Sequence, residues 1–430
     1  MAPGKDKLKI LACPANEGGC SYYRIILPMR KLQEMYPDEV EVRVDLNPLG
    51  YDKEAMEKNI AASGDSKIMI KEDWNDSDFE WADVVFTQNL HNFGAQYTMD
   101  IFEKAERHGC LTHYDNDDLL TELYTGHRLF DVYKENNLSD ATKHIYSRVD
   151  MVSVTQRKFA ERIAPYVGRA LVIIKNAIDY TLPSWNAPPV PGHKKVTRFG
   201  WVGGIHHEED VKEIPGVALG VNNKAGAERV HWGFYGRPPM PMEEGKPAPD
   251  WQQEVWDNYE KTLSRGIKHK NYSVYGALPG DNYGVLYSNI DVAIAPLQFN
   301  AFNDSKSEIK VAECGRYGIP LVATDCGCYD ETIVNGETGF LISPDNPRSA
   351  WVKVLTKCAK DKLMVREMGA NLKRITDQAF DINKNIRGRL DMYREIIETK
   401  EKFLATMKKD TPKSQGNQFI PPPLQHMPTK

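Results

Sequence analysis

What the chain lacks narrows it first. No apolar run reaches the ~18 residues of a helical membrane span. Charge of one sign is missing too. Fifty-five Lys and Arg against 60 Asp and Glu leave a net charge of −5, spread along the chain. No global basic balance calls for nucleic acid as a partner. Cysteine is sparse: 7 residues, an odd number, lie between Cys13 and Cys358. That implies reduced thiols and not a disulfide framework. Cys326 and Cys328 are the one close pair, and a CxC lacks the second half of a zinc site. His206-His207-Glu208-Glu209-Asp210 likewise lacks the H-E-x-x-H spacing of a zinc helix. No metal site is expected. The stretch before Cys13 has only a short apolar run, which reads as a strand and not as a signal peptide. No internal sequence repeat is visible.

What is there has the makeup of a globular α/β chain. Its 430 residues, 41% hydrophobic and 27% charged, suffice for two or three domains with ample core. Short apolar runs alternate with amphipathic stretches. Leu8–Cys13, Glu39–Val44, Lys67–Ile70, Ala82–Thr87, Leu111–Tyr114, Asp150–Thr155 and Leu171–Ile174 read as strands with helices among them. A patternless, Pro-rich stretch at 181–195 reads as a linker. A second series opens with Thr197–Val202 and continues through His231–Tyr235, Tyr272–Tyr275, Ile290–Pro296 and Leu321–Ala323. The βα order implies a parallel sheet in each half. Residues 237–251 read as a Pro- and Met-rich insertion. The stretch 408–430 is polar and Pro-rich, the composition of a disordered tail or a surface-lying peptide.

Parallel sheets bind ligands beyond the C-terminal ends of their strands. After Leu8–Cys13 come Gly18 and Gly19, which let the backbone approach an anion. Arg24 follows in a first helical turn, placed either to reach a phosphate or to sit solvated on the surface. After Ala82–Thr87 comes a loop with His91. Leu111–Tyr114 ends in Asp115-Asn116-Asp117-Asp118, a clustered acidic loop of the kind found at catalytic or acceptor sites. Asp117 or Asp118 has a second reading, as the cap of the next helix. After Val202, Gly203 and Gly204 should turn their amides to the cleft. His207 there reads as a contact for a phosphate or sugar, or with Asp210 as a helix cap.

The most informative stretch is Asn303 to Glu331, NDSKSEIKVAECGRYGIPLVATDCGCYDE. Its first half reads as a helix starting at Asp304 or Ser305, and Ser305 with Glu308 has capping-box spacing. Lys306, Lys310 and Glu313 then fall on one helix face. Two cations, a carboxylate and the unpaired amides of a helix start suit a diphosphate joined to ribose.

This stretch, continued through Ile342, resembles the nucleotide-sugar signature of GT-B glycosyltransferases of the retaining, family-4-like kind. Glu313, Gly318, Pro320, Ala323, Gly327, Glu331, Gly336, Thr338 and Gly339 are in register with it. The family's other Glu, eight residues before Glu313, is Ser305 here, so its sugar-contacting carboxylate is missing or replaced. The N-x-x-K-S-x-x-K-x-x-E variant, the HYDNDD run and the G-W-x-G loop resemble a branch common in phages and bacterial polysaccharide loci. Asp-x-Asp alone also resembles the metal signature of GT-A enzymes, against the C-terminal signature.

The resemblance implies a GT-B fold: two doubly wound parallel-sheet domains facing across a cleft. It places an acceptor-side domain at 1–180, the linker at 181–195, a nucleotide-sugar domain at 196–383, and a helix at 384–407 returning to the first domain. It implies sugar transfer from a nucleoside-diphosphate sugar, a UDP-sugar foremost, to a hydroxyl acceptor, with retention and without metal or other cofactor. The donor would meet Gly203, Gly204, His207, Ser305, Lys306, Lys310, Glu313, Gly327 and Glu331. Lys306 and Lys310, with Asp117 and Asp118, are the catalytic candidates, and Gly18, Gly19, Arg24 and His91 line the acceptor side. The acceptor is a glycan, a lipid-linked sugar, a small molecule or, in a phage, hydroxymethylated DNA. A non-catalytic nucleotide-sugar-binding protein is the other reading. The expected location is the cytoplasm, a host's if the chain comes from a phage.

Overall fold

Among the described residues, apolar runs between glycine and proline breaks become twelve strands in two wholly parallel sheets. The computed structural model describes residues 7–16, 18–63, 69–191, 195–238, 250–327, 329–345 and 347–409. The first sheet contains β1 (Leu8–Cys13), β2 (Val40–Val44), β3 (Val84–Gln88), β4 (Leu111–Asn116), β5 (Met151–Val154) and β6 (Ala170–Ile173), in the order β2-β1-β3-β4-β5-β6. The second contains β7 (Thr197–Val202), β8 (Val230–Arg237), β9 (Tyr272–Gly276), β10 (Val292–Ala295), β11 (Leu321–Thr324) and β12 (Gly339–Ile342), in the order β12-β11-β10-β7-β8-β9. Strand order reverses between β1 and β3 in the first sheet, and between β7 and β10 in the second. A crevice opens at each such reversal, beyond the strand ends.

Helices cover both faces of a parallel sheet, so its inner strands are buried throughout. Every residue of β3, β4, β5, β10 and β11 is buried. In the second lobe, Trp232, Trp256 and Trp351 anchor the packing. In the first, Ile10, Phe86 and Met151 pack with Ile386, Leu390 and Tyr393. Those last three lie on the helix Ile382–Lys409, which leaves the second lobe and closes over the first. The chain changes lobe where Ile178 N–H donates to Phe380 O at 2.8 Å and Ile382 N–H to Ile178 O at 2.9 Å.

Several expected elements differ. Ile70 makes only an isolated bridge to Tyr51, and Met69 and Ile70 are exposed. So short and solvent-facing a segment buries too little apolar area to join the sheet. Its residues 64–68 lie outside those described, as do 192–194 of the linker, 239–249 of the insertion, Cys328, and the tail from 410. Helix Ile382–Lys409 runs two residues into the stretch read as tail. The linker's Trp185 is 3% exposed and stacks on Tyr287, so this stretch is packed and not a loose tether. Among the described residues, no helix is long and apolar enough to cross a membrane.

Candidate functional site

The stretch after β10 folds as two helices, not one. Asn300 caps Ala301–Asp304, its Oδ1 accepting from Asn303 N–H at 2.9 Å. Ser305 is fully buried, and its hydroxyl donates back to Ala301 O at 2.9 Å. The next helix, Ile309–Arg316, begins only after the turn Ser305–Glu308. Two expectations are thereby corrected. Ser305 does not present its side chain to a donor, because it closes the preceding helix. Lys306 does not share a helix face with Lys310 and Glu313, because it precedes that helix.

The two lysines therefore part company. Glu313, 2% exposed, accepts from Tyr287 Oη at 2.5 Å and from Lys310 Nζ at 2.8 Å. Lys310 also reaches Tyr283 Oη at 3.2 Å. Burial alone would lower the Lys310 pKa, but Glu313 and Tyr283 outweigh it and hold the pKa up. Burial and the Glu313 charge raise the pKa of Tyr23, a first-lobe residue, well above the usual tyrosine range. Lys306 instead faces Asp118 at 3.5 Å and lies over the Phe302 ring at 4.5 Å.

The loop after β7 meets this turn at the crevice of the second sheet. Gly203 lies against the Trp201 ring, whereas a side chain at Gly204 would meet nothing within 4 Å. His207 Nδ1 lies 2.7 Å from Asp210 Oδ2. Asp210 is 1% exposed, and its Oδ1 accepts from Gln298 N–H and Asn303 Nδ2, both at 2.8 Å. It thus ties the loop after β7 to the loop after β10. Burial would raise the Asp210 pKa, but His207 and the Gln298 amide outweigh it and lower it. His206 stacks on His127 of the first lobe, with centroids 6.1 Å apart. Burial chiefly, then neighbouring cations including Lys306, brings both down to about 4.

Across the cleft, Gly18 and Gly19 are exposed, and a side chain at Gly19 would meet nothing within 4 Å. Asp117 Oδ1 accepts from Asn89 Nδ2 at 2.9 Å and Gln88 Nε2 at 3.2 Å, so it is held in place by the end of β3. Asn89 holds that grip from a left-handed backbone, φ 52°.

Arg24 and His91 are corrected. Arg24 is 1% exposed, forks onto Asp115 at 2.6 and 2.8 Å, and donates to Ile174 O and Asn176 Oδ1. Its guanidinium is used inside the lobe and meets no phosphate. Asp115, also bonded by Ser153, is engaged with Arg24, so Asp115 and Asp117 do not open as a metal-holding pair. His91 is 4% exposed, stacks on Phe93 at 5.2 Å and accepts from Phe93 N–H, so it packs the first lobe.

Glu331 and Gly327 lie where the lobes touch. Lys175 of the first lobe reaches Glu308 at 2.5 Å and Glu331 at 3.0 Å. Lys158 donates to Gly327 O at 3.0 Å and to Asp304 Oδ1 at 3.2 Å. Gly327 has φ 76° and packs on Asn303 O, a place for glycine alone. Sequence reasoning missed Glu308, Lys175 and His127, and gave Asp210 no role beyond capping. For Asp210 the signal was present, since His-x-x-Asp at a helix start puts the two side chains within reach.

Residues 235–361 match the family model described as "Glycosyl transferases group 1". Sucrose-phosphate synthase of Thermosynechococcus elongatus superposes with a TM-score of 0.62 at 12% identity, covering 92% of this chain and 100% of that one. The Anabaena protein HepE, solved with UDP and glucose, gives 0.59 at 14%, covering 90% and 100%. A glycosyltransferase of Rickettsia africae gives 0.56 at 14%, covering 91% and 99%. The fold is GT-B. On that fold, the matched segment 235–361 resembles a group 1 glycosyltransferase domain. No curated protein matches it by sequence. Cys20, Asp117 and Asp118 of the first lobe lie within electrostatic reach of Lys306 in the second.

Proposed function

We propose that the chain transfers a sugar from a nucleoside-diphosphate sugar, a UDP-sugar foremost, to a hydroxyl acceptor with retention of configuration. The observation that carries this reading is the gathering of Gly203, Gly204, His207 and Lys306 at the reversal between β7 and β10. Glycine amides and cations at a strand end suit a diphosphate. The diphosphate is the leaving group, and fixed positive groups stabilise the charge it gains. Lys306 supplies that charge, so transfer proceeds without a metal ion. Glu313 accepts from the ribose hydroxyls once Tyr23 withdraws from it. The acceptor hydroxyl of a glycan, lipid-linked sugar or small molecule enters from the side of Gly18, Gly19 and Asp117. Attack on the donor face left by the diphosphate gives retention.

A thermal-shift series with UDP-, GDP-, ADP- and dTDP-glucose tests the reading. A donor at 100 times its Kd should add about 2.7 kcal/mol. Hydrolysis or transfer that persists in excess EDTA, with an α-configured product by NMR, is the expected outcome. A protein that binds a sugar nucleotide but neither transfers nor hydrolyses it would be a binding protein instead. Activity that EDTA abolishes and Mn²⁺ restores would overturn the metal-free part.

A further inference from the structure

We propose that Asp210 is a positioning residue that holds His207 as an imidazolium, so that the outer nitrogen Nε2 donates to the donor's diphosphate. The inference rests on the donor reading above. Asp210 Oδ2 meets His207 Nδ1 at 2.7 Å, and its Oδ1 takes Gln298 N–H and the Asn303 side-chain amide. A carboxylate with three donors is fixed in place and requires a proton on Nδ1. In the neutral ring, Nε2 would then be an acceptor and would repel a phosphate oxygen. Only the imidazolium gives an Nε2–H that binds one. Backbone and packing set the ring as well. His207 N–H donates to Tyr259 Oη at 3.0 Å, and the Trp201 ring lies edge-on at 6.2 Å.

The neighbouring histidines make the contrast. Among the described residues no carboxylate bonds to His206 or His127, and both are pushed toward the neutral form, the buried His127 chiefly by desolvation. Opposing the imidazolium is Lys306, itself beside Asp118. Arg128 of the first lobe is paired with Glu208 at 2.9 Å, so its charge is offset. Glu209, on the short helix of His207, is paired with Lys212. Among the described residues, the buried Asp210 is the group bonded directly to the ring. The proton stays on His207 throughout: the dyad supplies charge and direction, not a transferred proton.

The sign of the pH dependence follows. The imidazolium binds the diphosphate more tightly than the neutral ring does, so affinity should be highest at low pH and fall as pH rises. Asp210→Asn presents an amide N–H to Nδ1, which must then accept. The proton of the neutral ring then sits on Nε2, and the ring loses the carboxylate that favours its charged form.

The test is calorimetric affinity for UDP-, GDP-, ADP- and dTDP-glucose between pH 5.5 and 8.5. The diphosphates of these esters do not titrate there. The unaltered chain should lose about tenfold in affinity across the window. Asp210→Asn should be flat at an intermediate affinity, its neutral Nε2–H donating without a full charge, and His207→Gln flat and weak, near the high-pH value of the unaltered chain. A slope retained in either variant overturns the dyad, as does a flat profile in the unaltered chain. If Asp210→Asn fails to fold by circular dichroism, His207→Gln decides alone. If none of the four sugar nucleotides binds the unaltered chain, the donor reading falls and the dyad with it.

Discussion

Lys306 and Lys310 look alike in sequence and differ in place. Lys310 neutralises Glu313, which is 2% exposed. Replacing it with Met leaves a buried carboxylate without its cation, and losing one partner of a buried pair costs about 3 kcal/mol. Lys310→Met should lower the midpoint of urea unfolding. Lys306 sits one-fifth exposed at the crevice, beside Asp118. Lys306→Met should leave the urea midpoint nearly unchanged and cut kcat/KM by about ten- to a thousand-fold, roughly 1.4–4 kcal/mol. Similar effects of the two changes on both measurements would refute this division. The spacing of Lys310 and Glu313 was legible, but i,i+3 serves an ion pair as well as a shared ligand. Arg24 was not legible, because its partners Asp115 and Asn176 lie 91 and 152 residues away.

At the level of elements, the alternation of strand and helix could be read because buried parallel strands are short, apolar and bounded by breakers. The break at Ser305–Glu308 could not. The periodicity there runs on without interruption, and the helix closes through Ser305 N–H to Phe302 O and Lys306 N–H to Asn303 O, both 3.1 Å, with the Ser305 hydroxyl on Ala301 O. Neither could the π-helical turn at Tyr22–Ile26, since apolar spacing does not separate it from an α-helix. Gly236 shows how an element end shapes the crevice. Its φ is +123°, and a Cβ there would lie 2.1 Å from the Gly203 carbonyl oxygen. Gly236→Ala must therefore push the loop that carries Gly203, Gly204 and His207. The change should destabilise by about 1–3 kcal/mol in urea and weaken sugar-nucleotide binding. An unchanged urea midpoint and affinity would show that the loop has slack.

For the whole molecule, the buried His127 makes stability fall with acid. It ordinarily titrates near 6.5 and here near 4. Between those values the unfolded chain takes up protons that the folded chain refuses, so stability is full above 6.5 and is lost as pH falls. The loss should reach the order of 2 kcal/mol by pH 5 in urea titrations, and His127→Phe should reduce it. An acid limb unchanged in that variant would remove His127 as a cause.

The contacts between lobes have a polarity. Arg30, Arg128, Lys158, Arg162 and Lys175 of the first lobe face Asp281, Glu208, Asp304, Glu308 and Glu331 of the second. Lys306 and Asp118 alone run the other way among these contacts. Most of these groups are partly open to water, where dissolved ions compete with them. Ionic strength is therefore a throttle on the molecule's jaw. Raising NaCl from 20 mM to 500 mM should widen the particle in small-angle X-ray scattering without unfolding it. The release of bound nucleotide should quicken in step, so that the medium itself sets how long a substrate stays inside.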